Sequence, residues 1–403
     1  MAASGAMSAG LQRRIGPGLL TAYGVGIMVG AGIYVLTGAA AGAAGMWAPL
    51  AFVFAGLVAV PSALSFAELS ARIPEAAGDS AYVEVGLGRH GLAVLVGAIN
   101  IIAGTVAAAA VLRGGVGYLT SIVDVPSAWA IIGLGLFLTA VAIIGVLESL
   151  ALAAALTVVE VIGLMLVIYA GFHAVPVPEW SVPLPSVEWN GVAAATVFAF
   201  FAFIGFDDMV NMAEEARDPA RTMPRAIIAA LVMTALLYAL VSLAAVRAVP
   251  REALALSERP LALVWEAGTG TGAVFLSAIA VAAALNGVLA QIVMASRVLF
   301  GLGRRSPAMA IFHKTHPRFG TPVLGTLAVG AAVIVSAFSL PVAALAEITS
   351  QALLIVFAIV NAALIGVKRK QPASPFAVPV WMPWLGIIAC LAGFAASFLG
   401  GGA

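Results

Sequence analysis

Residues Gly26 to Tyr34 read GIMVGAGIY inside a stretch apolar enough to cross a membrane. Each of its glycines weakens a helix by about 1 kcal/mol relative to alanine. A second unusual stretch, Phe198 to Asp208, reads FAFFAFIGFDD and sets Gly205 just ahead of two aspartates. A carboxylate at bilayer depth costs about 2.5–3.5 kcal/mol on insertion scales, so such groups face a cavity or a partner. The third feature is Glu160, alone in the apolar run LTVVEVIGLML. The chemistry these residues suit is the holding of a small charged solute. A broken helix frees N–H and C=O groups that lipid cannot satisfy, so the break must line a solvated cavity. The half-helix after Gly30 offers N–H groups and a positive dipole end to a carboxylate. The carbonyls at the end of the preceding half, and those of the second break, suit an ammonium group or a cation. Glycine lets the solute approach that backbone with no Cβ in the way. A zwitterion fits both ends.

The elements that carry these residues follow from composition. The chain has 403 residues, 63% of them hydrophobic and 9% charged, far below the roughly 25% charge of soluble domains. Eleven apolar segments are expected to span, over about 17–39, 47–68, 90–117, 126–147, 150–173, 191–212, 225–247, 269–300, 322–340, 344–366 and 379–399. The fold class is therefore an all-α polytopic membrane protein, a single transmembrane unit over 1–403. Arg13 and Arg14 ahead of an apolar run could imitate a secretory signal, but the run is too long for a signal core, so an uncleaved first helix is expected. With the N-terminus cytoplasmic, every Lys and Arg except Arg113, Arg247, Arg251 and Arg259 falls on the inner side. The positive-inside rule then places the N-terminus inside and the C-terminus outside. The formal net charge of +1 suggests no nucleic-acid partner. The single cysteine, Cys390, excludes an intramolecular disulfide, and His90, His173, His313 and His316 fall in loops or at span ends, so no metal site is expected.

Gly-interrupted segments at corresponding places of two halves mark a carrier built from inverted repeats. Spans 1 and 6 correspond if spans 1–5 (about 17–173) and 6–10 (about 191–366) are the repeats, and the span at about 379–399 is then an extra helix. Each feature has a plainer alternative. Gly26-x-x-x-Gly30 is also a helix-packing pattern, and Asp207 and Asp208 could lie at a span end near water. The pair of breaks at matching positions favours the binding site.

Four stretches in order carry a resemblance: GIMVGAGIYVLTG, SFAELSARIPEAAGDSAY, FFAFIGFDDMVNMAEEARDPARTMPRAI and ASRVLFGLGRRSPAMAIFHKTHPRFGTP. They resemble the amino acid–polyamine–organocation superfamily, especially its cationic amino acid transporter branch. The resemblance implies the leucine-transporter-like inverted-repeat fold and a secondary transporter of amino acids or related amines in a bacterial inner membrane. It implies that the backbone N–H groups of Gly30, Ala31 and Gly32 meet the substrate carboxylate. The carbonyls of Gly26 and Ile27, with those near Phe201, Ala202 and Ile204, would face the amino group. Phe203 and Phe206 are candidate lids or pocket walls, with simple packing the alternative, and Asp207 beside them is a further substrate-binding candidate. Some superfamily members place a lysine where this chain has Glu160, near a site that sodium occupies in relatives. Glu160 is therefore the coupling candidate, as proton carrier or cation ligand, against the alternative of a neutral hydrogen-bonded acid. The ion is expected to be a proton, with sodium left open, and no cofactor is expected.

Weaker candidates for the pathway are Asn100, Thr105, Asn286, Gln291, Ser296, Glu347, Ser350 and Gln351. Glu68, Arg72, Glu214, Glu215, Arg217 and Arg225 could form an inner gate, but solvated loop charges are the expectation for most of them. No clustered acid–base, phosphate-loop or nucleophile arrangement argues for an enzyme, and no ring of charge argues for a channel. An amine or polyamine carrier, an exchanger and a transport-shaped sensor remain the alternatives. Many superfamily members have twelve or more spans, so a contact made by a twelfth is in question.

Overall fold

A computed structural model of the chain describes residues 15–30, 32–74, 78–144, 150–180, 186–305 and 307–399. Ala31, Arg13 and Arg14 lie outside the described residues. The described residues are helical, with no strand beyond a single parallel bridge between Ile15 and Ala216. Fifteen α-helices follow one another: α1 Pro17–Val29, α2 Gly32–Ala44, α3 Ala48–Arg72, α4 Gly78–Leu87, α5 His90–Thr120, α6 Ser127–Ile144, α7 Leu150–His173, α8 Trp189–Phe203, α9 Pro219–Ala248, α10 Arg251–Leu256, α11 Pro260–Thr269, α12 Val274–Arg305, α13 Val323–Ser339, α14 Val342–Lys370 and α15 Trp381–Leu399.

Among the described residues nine helical segments are long and apolar enough to cross a membrane. One of them, Gly32–Arg72, takes in the second half of the first expected span and the whole of the second. A 3₁₀ turn at Gly45–Trp47, with Gly45 at φ +58°, divides it. Pro17–Val29 and Val323–Ser339 are apolar but shorter. Large apolar side chains stay exposed around the bundle, among them Leu57, Trp129, Phe137, Ile162 and Ile388. A soluble surface does not tolerate so much contiguous apolar area, whereas lipid does. The interior is closed by small residues: α5 packs along α12 through a run of buried alanines, Ala107 to Ala110. Small side chains let helix backbones approach where lipid removes the hydrophobic drive for helices to associate.

Candidate functional site

Span 1 is broken where the glycines weaken it. Helix α1 ends at Val29, and Gly30 turns away at φ 19°, ψ −150° while its N–H donates back to the Gly26 carbonyl at 3.0 Å. The next helix starts at Gly32. Span 6 is broken in the same manner. Helix α8 ends at Phe203, Ile204 is extended, and Gly205 sits at φ +129°. The chain then continues as a 3₁₀ helix, Asp208–Glu215. At Gly205 a side chain would meet both penalties: the backbone is one that L-residues rarely adopt, and a Cβ would lie 2.5 Å from Ile27 Cγ2. The two breaks therefore touch. A Cβ on Gly32 would likewise lie 3.4 Å from the Cα of Ala202.

One side chain joins them. The Tyr238 hydroxyl, on α9, is 2.6 Å from the Met28 carbonyl and 2.8 Å from the Ala202 carbonyl, a single donor shared between the two ends. A second tie joins the residues just ahead of α1 to the end of the 3₁₀ helix, because the Ile15 N–H donates to the Glu215 carbonyl and the Arg217 N–H to that of Ile15.

The expected carbonyls are placed as follows. That of Gly26 accepts from Gly30, that of Phe201 from the Ile204 N–H at 3.2 Å, and that of Ala202 from Tyr238. Each carbonyl has a second lone pair for a ligand. Ile27, Ile204, Asp207 and Asp208 remain half-buried, and they form the accessible edge of the break. Phe203 is fully buried against Tyr238, with ring centroids 5.1 Å apart, and Phe206 is fully buried among Phe66 and Phe357. Phe201 is buried too, with a ring edge 3.6 Å from where a Gly32 Cβ would stand.

Glu160 is 3% exposed on α7, and its Oε2 is buried with no hydrogen-bond partner among the described residues. Its carboxylate lies within electrostatic range of the Tyr34 and Tyr238 hydroxyls. The packing that brings α7 to the break is tight, since a Cβ on Gly26 would fall 2.0 Å from Thr157 Oγ1. A buried carboxylate oxygen with no donor is tolerated as a protonated acid or beside a cation.

Three carboxylates gather beside the second break, of which only Asp207 and Asp208 stand out in the sequence. Asp207 Oδ1 accepts from the Gly205 N–H at 2.9 Å, and Asp208 Oδ2 accepts from Gln291 Nε2 at 3.3 Å. Asp79, on α4, lies within electrostatic range of both and accepts from Asn100 Nδ2 at 2.8 Å. Burial above all, and then the charge of Asp207, pushes the Asp79 carboxyl up from its ordinary 3.8 to about 7, with the Asn100 hydrogen bond opposing. No group of three or more His, Cys, Asp or Glu among the described residues is arranged to hold a metal ion.

The expectation of solvated charges is corrected at Glu68 and Arg72. Both side chains are buried as an ion pair, and Lys368 Nζ closes on the other Glu68 oxygen at 2.7 Å. The Val378 N–H also donates to Glu68, while Arg72 reaches the Gln371 and Ala373 carbonyls. The ends of α3 and α14 and the segment before α15 bury these charges together. Arg217 and Arg225 are exposed, as solvated charges are.

Comparison with known proteins gives this arrangement its relatives. The sequence profile of the family described as Amino acid permease matches residues 19–402. The Branched-chain amino acid permease BcaP of Bacillus subtilis is 29% identical over 375 residues, covering 86% of this chain and 80% of that protein. Cationic amino acid transporter 4, vacuolar, of Arabidopsis thaliana is 29% identical over 347 residues, 80% of this chain; the chain spans only 58% of that longer protein. The Methylthioribose transporter of Bacillus subtilis is 29% identical over 351 residues, covering 82% of this chain and 76% of its own.

Proposed function

The chain belongs to the Amino acid permease family, and from that premise we propose that it is a secondary transporter carrying an α-amino acid across a bacterial inner membrane by alternating access. The observation that carries this reading is the meeting of two broken helices, Ile27 against Gly205 and Gly32 against Ala202, inside an otherwise continuous apolar bundle. The N-terminal end of α2 is offered to the carboxylate, and the carbonyls at the ends of α1 and α8 to the ammonium group. The proposed architecture is eleven spans, of which ten form a 5+5 inverted repeat in the leucine-transporter manner with the last as an addition. The N-terminus is cytoplasmic in this reading. No catalytic step is assigned to the chain.

Coupling is assigned to Glu160, with a proton as the ion. Its buried, unpartnered Oε2 supports this, because protonation removes the cost of a bare carboxylate there and links solute passage to proton passage. The relatives are named for branched-chain and cationic amino acids and for methylthioribose, so the solute panel should include all three classes. Uptake into proteoliposomes, with and without an imposed inward proton gradient, tests the proposal. Gradient-dependent accumulation of one class is expected, and Glu160→Gln should abolish the dependence while leaving exchange of solute across the membrane. Unchanged gradient-driven uptake in that variant would sink the coupling role.

A further inference from the structure

A line of hydrogen bonds runs from a surface helix to the helix that carries Glu160, and the proposed solute site makes no use of it. The segment 251–269 folds as α10 and α11 over the ends of α2, α5 and α7. It is closely seated: a Cβ on Gly38 would lie 2.5 Å from the Leu254 carbonyl, and the Arg251 guanidinium holds the Gly42 carbonyl at 2.6 and 3.0 Å. The first N–H groups of a helix have no partner within it. In α11 one of these, Leu261 N–H, donates at 3.3 Å to the hydroxyl of Tyr118, a fully buried residue of α5. The Tyr118 hydroxyl in turn donates to the Tyr34 carbonyl at 2.7 Å, in α2. The Tyr34 hydroxyl donates to the Glu160 backbone carbonyl at 3.0 Å, in α7. The two rings meet edge to face, 6.2 Å apart at 86°. Gly163 leaves the room, since a Cβ there would stand 2.9 Å from the Tyr34 hydroxyl.

We propose that Tyr118 and Tyr34 are positioning residues that tie the seating of the cap 251–269 to the placement of α2 and of the helix bearing Glu160. Resting on the transport reading and its orientation, the cap lies on the outer side. Lifting it to admit solute withdraws the Leu261 donor; because hydrogen bonds in a chain polarise one another, the bond that Tyr118 donates to the Tyr34 carbonyl weakens, and with it the seating of Tyr34 against α7. Opening of the outer path and exposure of the Glu160 region are then one event. A helix terminus that needs a tyrosine hydroxyl to complete it is a suitable catch, because the bond exists only while the cap is down.

The test uses the full chain. Cys390 is its single cysteine and is fully buried. Ala262, fully buried beneath the cap on α11, is changed in the variant Ala262→Cys to give a reporter that a membrane-impermeant thiol reagent reaches only when the cap lifts. On that background Tyr118→Phe and Tyr34→Phe each remove one hydroxyl and keep the ring. Both are expected to speed labelling about tenfold, the scale of a lost buried hydrogen bond, with Cys390 unlabelled in the parent chain. Among the described residues Tyr34 has no hydrogen bond to the cap, so labelling that responds to Tyr118→Phe alone would overturn the relay. So would labelling unchanged in both. In transport assays, a bias toward the open cap should lower KM at the outer face and kcat together. Loss of kcat at constant KM would show a merely structural role and would also overturn it. Labelling needs no solute, so this outcome is independent of whether amino acids are the cargo.

Discussion

The hydroxyl of Tyr238 sits 2.6 Å from the carbonyl oxygen of Met28, the penultimate residue of the first half-helix. It is 2.8 Å from the Ala202 carbonyl at the end of α8. One phenol thus serves two helix ends, each of which has carbonyls without intrahelical partners. Removing the hydroxyl leaves two buried acceptors short of a donor. Tyr238→Phe is expected to cost about 1–3 kcal/mol of stability and to slow uptake at least about tenfold. Thermal melting in detergent and initial rates in proteoliposomes check both.

Gly205→Ala meets a strained backbone and the Ile27 side chain at once. Residues forced into such conformations cost about 1–3 kcal/mol, and the contact with Ile27 pushes the two breaks apart. Uptake should be lost while the protein still reaches the membrane. Immunodetection of membrane fractions, paired with uptake, separates this from a failure to fold.

At Glu68, substitution by Gln should be severe. It leaves Arg72 and Lys368 buried around a group that no longer balances them. Breaking a buried ion pair by removing one partner costs about 3–5 kcal/mol, and the melting temperature should fall accordingly. Lys368→Met leaves the Glu68–Arg72 pair intact and should cost less.

The breaks were legible in the sequence because glycine weakens a helix wherever it stands, and Gly30 and Gly205 each interrupt an apolar run. Glu160 was legible for the same local reason, as a lone charge type at mid-span. Tyr238 was not. A tyrosine in ALLYALVSL reads as packing, and its partners Met28 and Ala202 lie 210 and 36 residues away. Glu68 and Arg72 were visible as charges that could pair near a span end, but their burial was not, and Lys368 gave no such sign: only the docking of α3 on α14 brings the three together. Asp79 sits in a polar stretch between spans, where nothing local indicates that α4 folds in beside Asp207.

That burial makes stability depend on pH. The folded chain holds the Asp79 proton more tightly than the unfolded chain, with its pKa raised from 3.8 to about 7. The contribution is therefore complete below about pH 4 and is lost as pH rises toward 7. Melting temperature should fall across that window, and Asp79→Asn, which cannot ionise, should flatten the fall.

In the proposed site the two breaks hold a zwitterion by its carboxylate and ammonium ends. The most direct measurement is uptake of one labelled amino acid in proteoliposomes against its methyl ester, its N-acetyl derivative and its decarboxylated amine. The free amino acid should be carried and competed for by other free amino acids, whereas blocking or removing either charged end should abolish transport. Equal uptake of the amine or the ester would contradict it, because the N–H groups that begin α2 would then have no carboxylate to receive.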